Sequence, residues 1–371
     1  MSDILFVTWD GGGNVPPATA IARELVARGH TVRFLGHAAQ VAALEEEGVE
    51  VVRGRHARAY SRFDRYSPLT MMAVFGDRGM GRDLLEETSV RRYDLVVIDC
   101  LMVGALAAAR EAGLRYAVLE HLYDAYFRRT ILGGPMGLNL RLRRLAPQRS
   151  LEDAAVRLVT SLPELDPVPD PPANLRQVGP VVPLSAPATQ GGDPTVLVSL
   201  STFGYPGMTA ALQRLVDATR DLDARVVVTT GPAVDPADIR APRGTEVHRF
   251  VPHAELMPGL SLFVGHGGHG STMTALGHDL PLVLMPMDGL ADQPGVADSV
   301  ERAGAGRRVA KKASPADLAP VLAAMLADGP HRAAAARLGA AVRAQPGAIL
   351  GADALEVALD GSVTPGGRPP R

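Results

Sequence analysis

Short, wholly apolar runs recur along this chain. Each is closed by a glycine-rich or polar turn and followed by residues at helical spacing. Ile4–Thr8 is the first run, and it ends at Asp10 and three glycines, which predicts a buried parallel strand and a tight turn. Ile21, Leu25 and Val26 then share one helical face, and Gly29 supplies the stop. Strands are predicted at Val32–Leu35, Tyr93–Asp99 and Tyr116–Leu119, with an alanine-rich helix running up to Gly113. Strand, turn, helix, strand is the order of an α/β unit with a parallel sheet. Residues 53–92 break the pattern. They are rich in Arg, Tyr, Met and Gly with weak periodicity, and predict mobile loops and short helices above the sheet.

A second cycle follows. It predicts strands at Thr195–Ser199, Arg225–Thr229, Leu262–Gly265 and Leu282–Met285, and helices at Met208–Asp221 and from Ser271 to Leu276. Between the two cycles lie the proline-rich stretch from Pro163 to Pro172 and the small, polar stretch from Ser185 to Asp193. Both read as inter-domain linker. The expectation is therefore two similar doubly wound domains, 1–183 and 184–360, facing a central cleft, with the last helix free to cross back to the first domain. A disordered tail is expected at 361–371, rich in Gly, Pro and Arg.

Composition narrows the function. Of 371 residues 46% are hydrophobic and 21% charged, enough apolar surface for packed cores. A formal net charge of −2 offers no large positive field for nucleic acid or an anionic membrane. One cysteine, Cys100, excludes an internal disulfide and a multi-cysteine zinc site. No apolar run approaches the length of a membrane span, and the N-terminus lacks the layout of a signal peptide, so a cytoplasmic location is expected.

The strongest motif is Gly265-His-Gly-Gly-His-Gly-Ser-Thr-Met-Thr274, which follows a strand and opens a helix. Glycines let the backbone approach a ligand, and the free N–H groups of a helix start make an anion site. It lacks the Gly-Lys-Ser/Thr ending of a P-loop. The first turn, Gly11 to Pro17, is not a dinucleotide fingerprint, because Pro16 stands at the third glycine position. A nicotinamide dehydrogenase is disfavoured accordingly.

These blocks resemble the family-one, GT-B fold glycosyltransferases of bacterial natural-product biosynthesis. The resemblance rests on Phe250-Val-Pro-His-Ala-Glu-Leu256, His266-Gly-Gly-His-Gly-Ser271, Ala275 to Pro281, Met285 to Gln293 and Ala303-Gly-Ala-Gly306, in that order. In the first half Gly13 to Pro17, the Ala-Arg-Gly-His30 helix end and Asp94 to Asp99 match as well. The resemblance implies a dTDP- or UDP-sugar as co-substrate, no other cofactor, no metal, and a small, largely apolar aglycone as acceptor. It implies that His266 and the backbone of Gly268, Gly270, Ser271 and Thr272 hold the diphosphate, with Ser199 or Ser201 reaching the same group. Val251 would face the base, and Asp292 and Gln293 the sugar hydroxyls. A homodimer is left open.

At one position the chain departs from the family. Where members carry the general-base His of Gly-His-x-x-Pro, oriented by an Asp on a later strand, this chain has Asn14, with Asp99 as the Asp. An amide cannot accept a proton near neutral pH. Three readings follow. Another group is the base, with Asp10, Asp99, Glu120 and His121 at nearby strand ends. Or the acceptor needs little help. Or the protein is a non-catalytic, nucleotide-sugar-binding partner of another transferase. A nucleotide-sugar epimerase on the same fold is a further alternative.

Overall fold

The structure is a computed structural model that describes residues 1–64, 67–184 and 193–361. These divide into two compact units, residues 1–181 together with the segment from Pro346, and residues 182–345.

The first unit is built on seven parallel strands: β1 (Asp3–Val7), β2 (Thr31–Gly36), β3 (Glu50–Arg53), β4 (Leu95–Asp99), β5 (Tyr116–Glu120), β6 (Val156–Val159) and β7 (Leu175–Gln177). Their order is β3-β2-β1-β4-β5-β6-β7. Successive side chains of a strand face opposite sides of the sheet, and here both sides are buried. Leu5, Val7, Val96 and Ile98 pack with Met80, Leu84 and Leu106 on one face. Ile4, Phe6, Val97 and Leu119 pack with Ile21, Leu25 and Leu355 on the other. That double burial explains the unbroken apolar runs. Leu355 lies on the helix Gly347–Leu359, the last helix described, which packs on the helix Val15–Ala27. Arg28 ties the two together through Asp353 and Glu356.

The second unit repeats the plan with six parallel strands: β8 (Thr195–Ser199), β9 (Arg225–Thr229), β10 (Glu246–His248), β11 (Leu262–Gly265), β12 (Leu282–Leu284) and β13 (Gly306–Arg308). They run in the order β10-β9-β8-β11-β12-β13. Val196, Val198, Val228 and Val264 form one core with Leu212, Leu215, Leu318 and Leu322. The helix His269–Gly277 packs against the helix Pro330–Arg343. Each sheet is flanked by helices, which is the two-Rossmann-like architecture expected.

Two expectations are corrected. Residues 53–92 are not merely loops with short helices, since Arg78–Val90 is a 13-residue helix held on the helix Val103–Glu111. Glycines make its close approach to that neighbouring helix, while Met80 and Leu84 reach the sheet. A Cβ at Gly81 would lie 2.8 Å from the Ala108 methyl, and one at Gly104 would lie 1.9 Å from the Asp77 carbonyl. The stretch from Pro163 to Pro172 is not a linker, because β7 follows it in the first sheet. Asp166, 1% exposed, anchors it by accepting from the Asp124 N–H at 2.7 Å and the Ser161 hydroxyl at 2.7 Å. Residues 185–192 of the expected linker and 362–371 of the expected tail lie outside the described residues. No helix among the described residues is long and apolar enough to cross a membrane.

Candidate active site and donor site

In a doubly wound sheet, ligands bind beyond the carboxyl ends of the strands where the strand order reverses. In the first unit that reversal lies between β1 and β4. Asn14 follows β1 and Asp99 ends β4. Sequence reading pairs these two positions, and the structure brings them together. The Asn14 Nδ2 donates to Asp99 Oδ2 at 3.0 Å, to the Trp9 carbonyl at 3.0 Å and to Thr8 Oγ1 at 2.9 Å. Asparagine at the N-cap of a helix normally accepts from the first turn. Asn14 stands at the N-cap of Val15–Ala27 but makes no such bond, because its side chain is turned to the carboxylate. One residue beyond β5, His121 places Nδ1 3.3 Å from the same Asp99 Oδ2. The other oxygen, Oδ1, accepts from the Leu101 N–H at 2.9 Å. Asp99 is therefore engaged on both oxygens.

Asp10, 4% exposed, is used otherwise. Its Oδ2 accepts from the Arg62 N–H at 3.0 Å and the Ser61 hydroxyl at 3.2 Å, pinning the segment before residue 65. Glu120, fully buried, accepts from Arg157 Nε at 2.6 Å. Burial pushes its carboxyl up, against the pull of Arg157.

Sequence reasoning missed a polar corner beside this turn. Trp9 packs edge-on against Phe75 with ring centroids 5.2 Å apart, and Tyr60 lies between Trp9 and His37 at 5.8 and 5.7 Å. Among the described residues the Trp9 Nε1, the Asn14 Oδ1, both His37 ring nitrogens and both Gln40 amide atoms are buried without hydrogen-bond partners. Such atoms cost about 1–3 kcal/mol each in a folded core. Burial also lowers the His37 imidazole, so it stays neutral. His37 and Gln40 carry no motif that could have flagged them.

In the second unit the order reverses between β8 and β11. Ser199 ends β8, and Ser201 lies two residues on. The glycine-rich turn from His266 follows β11 and opens the helix His269–Gly277. The first internal bond of that helix runs from Thr272 N to the Gly268 carbonyl at 3.0 Å. The Thr272 N–H is thus committed, and its side chain is fully buried. Gly270 and Ser271 precede that bond, where helix N–H groups have no partner within the helix. A Cβ at Gly270 would meet nothing within 4 Å, so its backbone faces open space. Gly267 has φ +81°, the left-handed region, beside the Gln293 carbonyl. Gly268 lies against His266, where a Cβ would stand 2.5 Å from Nε2. Burial lowers the His266 pKa to about 4, opposed by a main-chain hydrogen bond at Leu200 and aided by His253, so its imidazole is neutral at pH 7.

Ser199 is spent internally. Its Oγ accepts from Thr229 Oγ1 at 2.6 Å and lies 3.0 Å from His253 Nε2. Ser201 Oγ accepts from the Phe203 N–H at 3.0 Å. Val251 is partly buried in the loop after β10. The Gln293 Oε1 accepts from the Met287 N–H at 2.7 Å and the Asp288 N–H at 3.2 Å, so its carbonyl fixes the loop after β12. Asp292 is the N-cap of the helix Gln293–Arg302 and is 9% exposed.

Two clusters among the described residues bring potential metal ligands together. Asp99, Cys100 and His121 are all buried with ligand atoms within 4.8 Å. Burial beside Asp99 and Glu120 holds the Cys100 thiol well up, in its protonated and poorly ligating form. In the other, His56, Asp83 and Glu86, the Asp83 carboxylate already accepts three main-chain N–H groups, from Arg55, His56 and Ala57. The Asp221-Leu-Asp223 spacing lies just before β9, at the strand end away from the glycine-rich turn.

Comparison with known proteins agrees with this architecture. Residues 12–170 match the glycosyl transferase 4-like domain, and residues 213–355 match the C-terminal domain of the erythromycin biosynthesis protein CIII-like family. The 4'-demethylrebeccamycin synthase of Lentzea aerocolonigenes is 27% identical, over 95% of this chain and 98% of its own length. The oleandomycin glycosyltransferase of Streptomyces antibioticus is 32% identical over 46% of this chain and 39% of its own. Among solved structures, the glycotransferase of kitacinnamycin superposes with a TM-score of 0.78 at 24% identity, covering 96% of this chain and 99% of that one. The glycosyltransferase VinC in complex with dTDP superposes with a TM-score of 0.74 at 21% identity, over 97% and 100%. The chain is a glycosyltransferase of the GT-B fold. It is related to the sugar transferases of bacterial antibiotic biosynthesis.

Proposed function

We propose that this protein moves a sugar from a dTDP- or UDP-sugar to a small, largely apolar acceptor, with inversion at the anomeric carbon and without a metal. One observation carries the reading. In each unit the candidate residues flank the strand pair where the sheet order reverses: Asn14 and Asp99 in the first, Ser201 and the turn from His266 to Ser271 in the second. That is where a doubly wound sheet binds ligands. Two similar folds were solved with this nucleotide, VinC with dTDP and the spinosyn rhamnosyltransferase SpnG with thymidine diphosphate, which favours dTDP here.

Negative charge grows on the diphosphate as the glycosidic bond to it breaks. The open N–H groups at Gly270 and Ser271 supply fixed positive dipole there, and the His266 imidazole, held by the Leu200 main chain, stands in the same turn. The acceptor attacks from the opposite face of an oxocarbenium-like centre. The buried polar atoms of Trp9, His37 and Gln40 offer hydrogen bonds to an acceptor that carries a few polar groups on an apolar frame.

The test is a transfer assay with dTDP-glucose and UDP-glucose against a panel of aromatic and polyketide aglycones, read by mass spectrometry and by the anomeric coupling of the product. An acceptor that gains one hexose in the inverted configuration is expected. Retained configuration, or no product with nucleotide firmly bound, would overturn the reading.

A further inference from the structure

The formal net charge of −2 conceals an uneven distribution. Between Asp124 and Glu152 the chain has no carboxylate side chain, yet it carries six arginines there: Arg128, Arg129, Arg141, Arg143, Arg144 and Arg149. All six are exposed. Arg128 is paired with Asp124 at 2.8 Å, and among the described residues the other five have no carboxylate partner.

The structure gathers these charges on one wall of the first unit. After β5 the chain runs through the turn Phe127–Leu132, the helix Pro135–Leu142 and the helix Pro147–Glu152. Gly137 lets the middle helix lie directly on the turn, since a Cβ there would stand 1.9 Å from the Leu132 carbonyl. Leu140 of the same helix is buried beside Val103 and Leu145. The Leu132 carbonyl also accepts from Arg141 at 2.8 Å and from the Gln148 amide at 3.3 Å, which joins all three segments. The outer face of the helix is apolar as well. Leu138 is 53% exposed and Leu142 75%, and residues four apart share one face of a helix. Leu69, 76% exposed, stands one turn before Met72, whose carbonyl accepts from Arg143 at 3.4 Å. Single exposed leucines are ordinary, but these three adjoin arginines whose charge nothing balances.

We infer that this wall docks on an anionic lipid bilayer, with the leucines in the interface and the arginines against lipid phosphates. A guanidinium matches a phosphate through two parallel N–H bonds. Its aliphatic stem lies along an apolar layer while the charged head stays at phosphate level. Exposed leucines gain nothing from nucleic acid or an acidic protein surface, and they do gain from the boundary between headgroups and acyl chains. The helix Pro135–Leu142 has 8 residues, so it lies in the plane of the interface and does not span it. The inner side of the same wall, Phe127, Ile131 and Leu132, belongs to the core that holds Trp9, Tyr60 and Phe75. A docked protein therefore has only that core between the bilayer and the polar corner at His37. An apolar acceptor concentrates in a bilayer, which gives the docking its use. That use rests on the transferase reading above, and the docking itself does not.

Flotation of the full chain tests the docking, with vesicles of phosphatidylcholine alone and of phosphatidylcholine with about 30% phosphatidylglycerol. Binding is expected to the anionic vesicles and not to the neutral ones, and should fall steeply as salt rises from about 0.05 to about 0.5 M. The variant carrying Arg129→Gln, Arg144→Gln and Arg149→Gln changes only side chains with no partner among the described residues. It should bind the anionic vesicles about a hundredfold more weakly, roughly fivefold for each arginine. Leu138→Gln with Leu142→Gln should lose about tenfold on the same vesicles and nothing on immobilised heparin, which offers negative charge without an apolar layer. An unchanged Tm reports that both variants are folded. A wild type that does not float with anionic vesicles overturns the inference. So does a leucine variant that floats like the wild type, which would mark the wall as a site for soluble polyanions such as nucleic acid. No arm of the test reads turnover, so its failure leaves the transferase reading standing, and failure of the transfer assay leaves the docking standing.

Discussion

The Asn14 amide donates to the Asp99 carboxylate at 3.0 Å, a hydrogen bond between residues 85 positions apart and both nearly inaccessible to water. Its cost is visible on the same side chain, whose Oδ1 is buried with no partner and whose N-cap bond is forgone. Replacing Asn14 with Ala strands Asp99 Oδ2 and Thr8 Oγ1 without that donor. Asn14→Ala is expected to destabilise the protein by about 1–3 kcal/mol, measured by urea unfolding. Its dTDP affinity should stay at the wild-type value, because the candidate donor residues are in the other unit.

His37 and Gln40 carry the opposite trade. Their buried, unpartnered polar atoms are a burden on the fold. Gln40→Met keeps the shape and removes both amide atoms, so it should stabilise by about 1 kcal/mol, raising Tm by a few degrees. Turnover with the natural acceptor should fall in the same variant. A lower Tm would mean that these atoms are satisfied in solution by something other than acceptor.

Two glycines of the turn after β11 should separate cleanly. Gly267 combines φ +81° with a Cβ position 3.0 Å from the Gln293 carbonyl. Gly267→Ala should therefore cost roughly 1–2 kcal/mol in unfolding free energy. Gly270 has an ordinary helical position and open space around it. Gly270→Ala should keep or slightly raise Tm, yet weaken dTDP binding in calorimetry, since the new methyl stands where a phosphate would approach.

Arg157 stands on β6 with its side chain 6% exposed, against a Glu120 side chain that is 0% exposed. Arg157→Met leaves that carboxylate unpaired and should cost about 3–5 kcal/mol. The pH dependence has a definite sign. Glu120 is raised above its ordinary value by burial, so the folded state holds its proton more tightly than the unfolded state. Stability from this group is present below the unfolded carboxylate value and lost as pH rises through the folded one. Without Arg157 the loss should be steeper, so pH titration of Tm should find the variant closest to wild type in mild acid.

The sequence made the repeated α/β order legible because a strand buried on both faces leaves an unbroken apolar run, as at Leu95–Asp99 and Thr195–Ser199. Strands outside the apolar pattern were not read. β13 is Gly-Arg-Arg, and β6 carries Arg157, which a strand core tolerates only because Glu120 neutralises it. The helix Arg78–Val90 was read only as part of loops and short helices, because its contact with the helix Val103–Glu111 is made by Gly81 and Gly104 beside the core residues Met80 and Leu84. At the site, the glycine-rich turn and the pairing of Asn14 with Asp99 were legible from motif order. The proximity of His121 to Asp99 was not, since it depends on β5 lying beside β4. The spending of the Thr272 N–H and the Gln293 carbonyl inside the fold was equally hidden, because a motif does not show which groups the backbone consumes.

The most direct test of the central claim is thermal unfolding of the wild type and His266→Ala with dTDP, UDP, GDP, ADP and NAD in parallel. A ligand at about a hundred times its dissociation constant adds roughly 2.7 kcal/mol, a shift of several degrees. The account predicts a shift with dTDP or UDP, none with NAD, and a reduced shift in His266→Ala. A shift with NAD alone, or an undiminished dTDP shift in the variant, would contradict the donor site described above.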